Sequence, residues 1–263
     1  MRIKQYQVDA FTDRPFRGNP AAVCLLDAWP EDWLLQAIAA ENNLSETAFL
    51  VPAEQGYELR WFTPLAEVDL CGHATLASAH VLLRVRERSE DAVTFHTRSG
   101  ELTVRQREGL LAMDFPATPP RPCPAPDALL RGLGHTPSEV LAAQDYMAVY
   151  DSESDIRSLS PDPTVLKELD LRGVVTTAVG EDCDFVSRFF APKLGVVEDP
   201  VTGSAHCELA PFWSARLGRT VLEAHQVSSR GGRIRCLPDG DRVGILGKAA
   251  LFLKGEIYTG EEL

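Results

Sequence analysis

Apolar residues along this chain follow two rhythms. The commoner one is a short run, either continuously apolar or alternating with polar residues, closed by glycine, proline or a charged turn; this is the pattern of a strand. Such runs occupy residues 4–10, 22–26, 47–51, 57–62, 92–96, 102–106, 110–115, 174–179, 185–190, 233–237, 243–246 and 249–253. The rarer rhythm is longer. Residues 74–85 carry Ala, Leu and Val on nearly every side until Arg84, which predicts a helix buried all round. Residues 204–217 are similar and contain Pro211, whose missing N–H predicts a kink. A third helix is predicted over residues 31–42, following Pro30, with Trp33, Ala37 and Ile38 as its apolar stripe.

The two buried helices belong to an internal repeat, its copies about 130 residues apart. In the first copy Arg60-Trp61-Phe62-Thr63-Pro64 is followed by a loop and then by Cys71-Gly72-His73-Ala74-Thr75. In the second, Arg188-Phe189-Phe190-Ala191-Pro192 leads through a longer loop to Thr202-Gly203-Ser204-Ala205-His206. Each copy is a strand ended by proline, a glycine-containing turn and an apolar helix. The expected architecture is therefore α+β: two pseudo-symmetric halves, each a sheet wrapped like a half-barrel around one central helix. Residues 117–126 contain five prolines and are expected to be irregular, so they form the natural junction. The first half is placed at residues 1–115 and the second at 116–253, with the last strand, about 254–263, a candidate to return to the first half.

Composition narrows the function. The chain has 263 residues and a formal net charge of −12, with its Lys and Arg scattered, which excludes a phosphate-backbone surface and argues against nucleic-acid binding. No stretch has the eighteen or so apolar residues of a membrane span, and the first thirty do not read as an export signal. The six cysteines, Cys24, Cys71, Cys123, Cys183, Cys207 and Cys236, form no C-x-x-C pair and are read as reduced thiols of a cytoplasmic protein. The histidines show no metal-ligand spacing, so no metal is expected. Neither G-x-S-x-G nor G-x-G-x-x-G is present, which leaves nucleotide use and nucleophile-elbow chemistry unsupported. A small molecule is the expected partner.

The residues that can carry chemistry gather at the helix starts. Gly72-His73 and Gly203-Ser204 open the two central helices, where unpaired N–H groups and a partial positive charge favour an anion such as a carboxylate. Such glycines also tighten turns, but their recurrence at equivalent places favours a shared site. Glu46 lies between a helix end and an apolar strand, a poor place for a carboxylate that needs only water; it reads as a proton carrier or as a turn glutamate. His73 can share a proton or simply be a satisfied polar group. Asp199 precedes Pro200 in an extended loop, Ser204 can contact a substrate or cap its helix, and Asn19 is a turn residue or a ligand. Cys71 could become a thiolate at a helix start, yet the matching position holds Thr202, which counts against a two-thiol racemase.

Five motifs, Gly18-Asn19-Pro20-Ala21-Ala22-Val23, Asn43-Leu44-Ser45-Glu46-Thr47, Leu70-Cys71-Gly72-His73-Ala74-Thr75, Met113-Asp114-Phe115-Pro116 and Glu198-Asp199-Pro200-Val201-Thr202-Gly203-Ser204-Ala205, occur in order and together resemble the PhzF family of phenazine-biosynthesis-like isomerases. The resemblance implies the diaminopimelate-epimerase-like fold, with an active site in the cleft between the halves. It implies a cofactor-independent isomerase acting on a small, cyclic, carboxylate-bearing metabolite, commonly as a homodimer. By motif, Glu46 corresponds to the acid/base, His73 and Asp199 to its catalytic assistants, and Asn19, Gly72, Gly203 and Ser204 to substrate contacts; Cys71 and Thr202 are possible further members. The phenazine enzyme has Ala-Gly-His-Pro where this chain has Cys71-Gly72-His73-Ala74, so the resemblance does not assign a substrate. A silent ligand-binding protein on the same scaffold and a Cys71-dependent epimerase are the alternatives.

Overall fold

The helix Gly72–His80 buries every residue from His73 to His80. Its small Ala, Ser and Thr side chains let strands approach on all sides, and Ser78 and Thr75 turn their hydroxyls back onto the carbonyls of Ala74 and Cys71 (2.8 and 2.6 Å), so neither hydroxyl faces apolar neighbours unpaired. It continues as a π-helical turn, Val81–Val85. The computed structural model describes residues 1–86 and 90–260, and the chain divides into two compact units, Met1–Asp114 with Leu246–Leu263, and Phe115–Ile245.

In the first unit the sheet runs Ala249–Tyr258, Arg2–Ala10, Asn19–Leu25, Glu46–Pro52, Tyr57–Phe62, Ala92–Thr97, Gly100–Arg107 and Leu110–Pro116. The pairings alternate: antiparallel, antiparallel, parallel, antiparallel, parallel, then antiparallel twice. The helix Gly72–His80 packs against five of these strands, which curl around it. Leu76 at its centre is fully buried, and its truncation to alanine would cost about 2–5 kcal/mol. The returning segment is longer than the expected 254–263. It starts at Leu246 because Ala249–Tyr258 pairs along the whole of Arg2–Ala10 and covers that edge; residues 261–263 of the expected strand lie outside the described residues.

The second unit repeats the scheme. Glu139–Ala142, Tyr146–Val149, Val174–Val179, Phe185–Ala191, Leu222–Gln226 and Gly232–Asp239 pair in order as antiparallel, parallel, antiparallel, parallel, antiparallel. The central helix is Gly203–Leu217. It continues through Pro211: the carbonyl of Cys207, left without a donor by the proline, accepts from the N–H of Thr118 at 3.0 Å. Trp213 stacks on Phe185 with centroids 5.7 Å apart and donates its indole N–H to Thr177.

One strut occurs in both units. Arg60 makes a bidentate pair with Glu67 (2.7 and 2.8 Å) and lies over Phe62; Arg188 makes the same pair with Glu198 (2.7 and 3.0 Å) over Phe190. In each unit it ties the aromatic strand to the short strand that precedes the central helix.

Several expectations are corrected. In the outer helix Asp32–Asn42 the buried stripe is Leu35, Ile38 and Ala39, while Trp33 and Ala37 are exposed, because the sheet lies on the side one position round. The proline-rich segment is not wholly irregular: Arg121–Pro122 pairs with Leu141 and Ala142 at a sheet edge, where proline is tolerated. Leu222–Gln226 is a strand outside the expected runs because its alternation carries Glu223 and His225 on the open face and Gln226, fully buried, at its end. Three short helices, Asp127–Leu133, Glu153–Ser158 and Pro163–Leu166, cover the outside of the second sheet, the middle one opened by a capping box between Ser152 and Asp155.

Gly18 has φ of +64°, and a Cβ there would lie 2.0 Å from the carbonyl oxygen of Ala10. Gly18→Ala should destabilise the protein by about 2 kcal/mol or more, read as a lower urea midpoint at unchanged slope; an unmoved midpoint would refute this account of the turn.

Candidate functional site

Strands Asn19–Leu25 and Glu46–Pro52 are parallel neighbours with Ala21 opposite Glu46, so Asn19 and Glu46 start at the same edge of the sheet. Asn43 closes the preceding helix in the left-handed conformation (φ 48°), and the chain then turns through Leu44 and Ser45 into Glu46. Ser45 donates to Asn19 Oδ1 at 3.1 Å, and the amide N–H of Asn19 then faces His73 Nδ1 at 3.3 Å. With Nδ1 accepting, the proton of the neutral ring sits on Nε2, which is 3.0 Å from Glu46 Oε2. The distance suits proton exchange but the direction does not suit a hydrogen bond; Nε2 and Oε2 have no well-directed partner on the protein. Cys71 Sγ completes the group, 3.5 Å from His73 Nδ1. Glu46, Cys71 and His73 each offer a ligand atom within 4.8 Å of the others, the one such cluster among the described residues.

Burial works against charge on His73, but its neighbours Cys71 and Glu46 outweigh it and hold the imidazole well above its ordinary pKa. Burial pushes the Cys71 thiol up, Glu46 pushes it further, and His73 opposes both. At neutral pH the group therefore contains a thiol rather than a thiolate, beside an imidazole that readily holds a second proton next to a carboxylate.

In the second unit, Thr202 occupies the position that Cys71 holds in the first, with the same extended backbone (φ −116°, ψ 100°) and no side-chain cap on the helix. Its hydroxyl donates to Asp199 Oδ2 at 2.5 Å and its N–H to Gln226 Oε1 at 2.8 Å. Gln226 also donates to the carbonyl of Asp199 at 2.8 Å, so one buried amide fixes the loop that carries Asp199 and the start of the helix at Gly203. Ser204 does not cap: its Oγ accepts from Arg172 Nη2 at 3.1 Å. Arg172 grips fully buried Asp145 with two bonds (3.0 and 2.5 Å) and lies over Phe189.

The structure thus brings Asn19, Glu46, Cys71, Gly72 and His73 together in the first unit, and Asp199, Thr202, Gly203 and Ser204 together in the second. Sequence reasoning missed Ser45, Gln226, Arg172, Asp145 and Glu208. Only Ser45 had a usable signal, lying inside the Asn43–Thr47 motif; Arg172 and Asp145 lie in no expected element, Gln226 ends a strand outside the expected runs, and Glu208 lies in an expected helix that does not announce its partners.

Glu208 is the most unusual of these. It lies one helical turn beyond Ser204 and is fully buried. Its Oε1 accepts from the N–H groups of Gln144 and Asp145 at 3.1 and 3.2 Å, and its Oε2 has no partner on the protein. Burial, then the carboxylate of Asp145, push its pKa up to about 8 against the opposing pull of Arg172 and the two backbone donors. The folded protein thus holds a proton on Glu208 that the unfolded chain releases near the ordinary value of 4.5. Stability from this group is complete below that value and is lost as pH rises through about 8. Thermal melts of Glu208→Gln, which keeps the accepting oxygen but cannot ionise, should fall less between pH 5 and 9 than those of the wild type; parallel melting curves would contradict the assignment.

The model of the PhzC-PhzF family, phenazine biosynthesis-like protein, matches residues 8–255. An uncharacterized isomerase of Pseudomonas aeruginosa is 56% identical across 98% of this chain and 100% of its own. Phenazine biosynthesis-like domain-containing protein 2 of Mus musculus is 42% identical across 98% and 99%. The crystal structure of a PhzF family protein from Enterococcus faecalis superposes with a TM-score of 0.96 at 47% identity, covering 98% of this chain and 100% of that one. The five motifs, the wrapped central helices and these likenesses agree: the chain belongs to the phenazine biosynthesis-like PhzC-PhzF family and is an isomerase.

Proposed function

We propose that this isomerase moves a proton between carbons of a small, cyclic, carboxylate-bearing metabolite without a cofactor, with Glu46 as the acid/base. The observation that carries the reading is the contact of Glu46 Oε2 with His73 Nε2 at 3.0 Å, in which neither atom holds a well-directed hydrogen bond on the protein. A carboxylate that is already satisfied cannot take a proton from carbon cheaply; this one is close to a proton partner and still available. His73 takes up or returns the proton while Asn19, itself held by Ser45, keeps the ring turned toward Glu46.

The N–H groups at Gly72 and those at Gly203, at helix starts without side-chain caps, are each proposed as a substrate contact. On the motif correspondence Asp199 assists the proton transfer and Ser204 contacts the substrate. A thiol-based epimerisation is the weaker account, because burial keeps Cys71 protonated and Thr202 stands in the matching position. The free cysteines suit a reducing cytoplasm, and a homodimer is the proposed assembly. No described helix is long and apolar enough to cross a membrane.

The test is deuterium exchange. A panel of small cyclic carboxylates is incubated with the protein in heavy water and read by mass spectrometry. Wild type should label one member at carbon, and Glu46→Gln should slow labelling by about 10²–10⁴-fold, the usual worth of a positioned acid/base. Labelling that survives Glu46→Gln removes Glu46 from the mechanism. Saturable binding with no labelling, unaffected by Glu46→Gln, would mark a silent binding protein instead.

A further inference from the structure

The group around Glu46 has a second chemical character. Its three donors are a carboxylate oxygen, an imidazole nitrogen and a sulfur, all within 4.8 Å of one another. A four-coordinate zinc ion, with bonds of about 2.0–2.3 Å, holds its ligand atoms about 3.5 Å apart. His73 already stands 3.0 Å from Glu46 through Nε2 and 3.5 Å from Cys71 through Nδ1. A cation takes only one ring nitrogen, so the ring must tilt toward the side it uses, and the Cys71 to Glu46 edge must close.

A second observation points to a ligand independently of the spacing. Glu46 Oε2 and His73 Nε2 are buried atoms without a well-directed partner on the protein, and His73 is more than nine-tenths buried. A cation between them would satisfy both at once. The carboxylate side chain of Glu46 keeps 19% exposure, which gives an ion a way in from solvent. The mixed oxygen, nitrogen and sulfur set suits zinc or cobalt and not magnesium or calcium, which take oxygen ligands.

We propose that Glu46, Cys71 and His73 form a binding site for a thiophilic divalent cation such as Zn2+, and that the ion inhibits the enzyme. On binding, Cys71 gives its thiol proton to solvent and the thiolate, His73 and Glu46 take three positions, leaving the fourth for water. The ion occupies the lone pair with which Glu46 would accept a proton from substrate. The inhibition rests on the reading of Glu46 as the proton carrier; the binding does not.

The experiment uses the full chain, treated with chelator and kept reduced. Titration with Co2+ should give one equivalent of binding and a thiolate-to-cobalt charge-transfer band, both displaced by Zn2+ and untouched by Mg2+. Cys71→Ala should abolish the band. Glu46→Gln and His73→Asn should each weaken binding at least about tenfold, a loss that disturbing even a supporting contact can produce; circular dichroism confirms that each variant is folded. Absence of saturable binding to wild type, or a band that persists in Cys71→Ala, overturns the site. Where a labelled substrate is in hand, Zn2+ should stop deuterium exchange and chelator should restore it; exchange that continues with zinc bound overturns the inhibition. If no substrate is ever labelled, the proton-transfer reading fails while the binding result stands.

Discussion

A short helix with no face left for water is the constraint on which the first unit depends. Gly72–His80 has the small side chains that let strands close around it, and once they do, its first turn cannot lie in bulk solvent. The peptide groups and side chains at that turn are therefore held at low dielectric, where a charge or a misdirected hydrogen bond counts for much more than at the surface. The same sheet that encloses the helix sets Asn19 and Glu46 on adjacent parallel strands, so the enclosure and the chemistry arise from one topology.

Low dielectric explains why Glu46, Cys71 and His73 act on one another so strongly. Cys71 stays a thiol because burial, and then Glu46, penalise a thiolate by more than His73 and the N–H of Ala74 compensate it. His73 goes the other way because its neighbours prefer it charged. The arrangement is a ring 3.0 Å from a carboxylate, with a protonated thiol on its other nitrogen. A fully directed ion pair would have left neither atom available to another partner.

The second unit meets the same enclosure with different side chains. Gln226, Asp145 and Glu208, all fully buried, and the partly exposed Arg172 place polar groups around the start of Gly203–Leu217. Two fully buried carboxyl groups lie beside one guanidinium that bonds only Asp145, and burial together with the charge of Asp145 keeps the proton on Glu208. The repeated Arg60–Glu67 and Arg188–Glu198 struts show what duplication has kept: the joint between the aromatic strand and the turn into the helix.

The sequence by itself determined the features that are local and periodic. The strand runs, the two helices apolar on every side, the repeat that links Arg60 to Arg188 and Gly72 to Gly203, and the motif around Glu46 could all be read from residues a few positions apart, because side-chain period and turn chemistry are short-range properties. Tertiary structure alone decided what depends on partners distant in sequence. Arg172 meets Asp145 across 27 positions and Glu208 meets Asp145 across 63, and no spacing in the chain announces either. The same holds for the strand ending in Gln226, for the turn of Trp33 to the open side, and for Thr118 satisfying the carbonyl that Pro211 leaves bare. A buried polar group needs a partner, but the chain does not say which one until the sheets have closed.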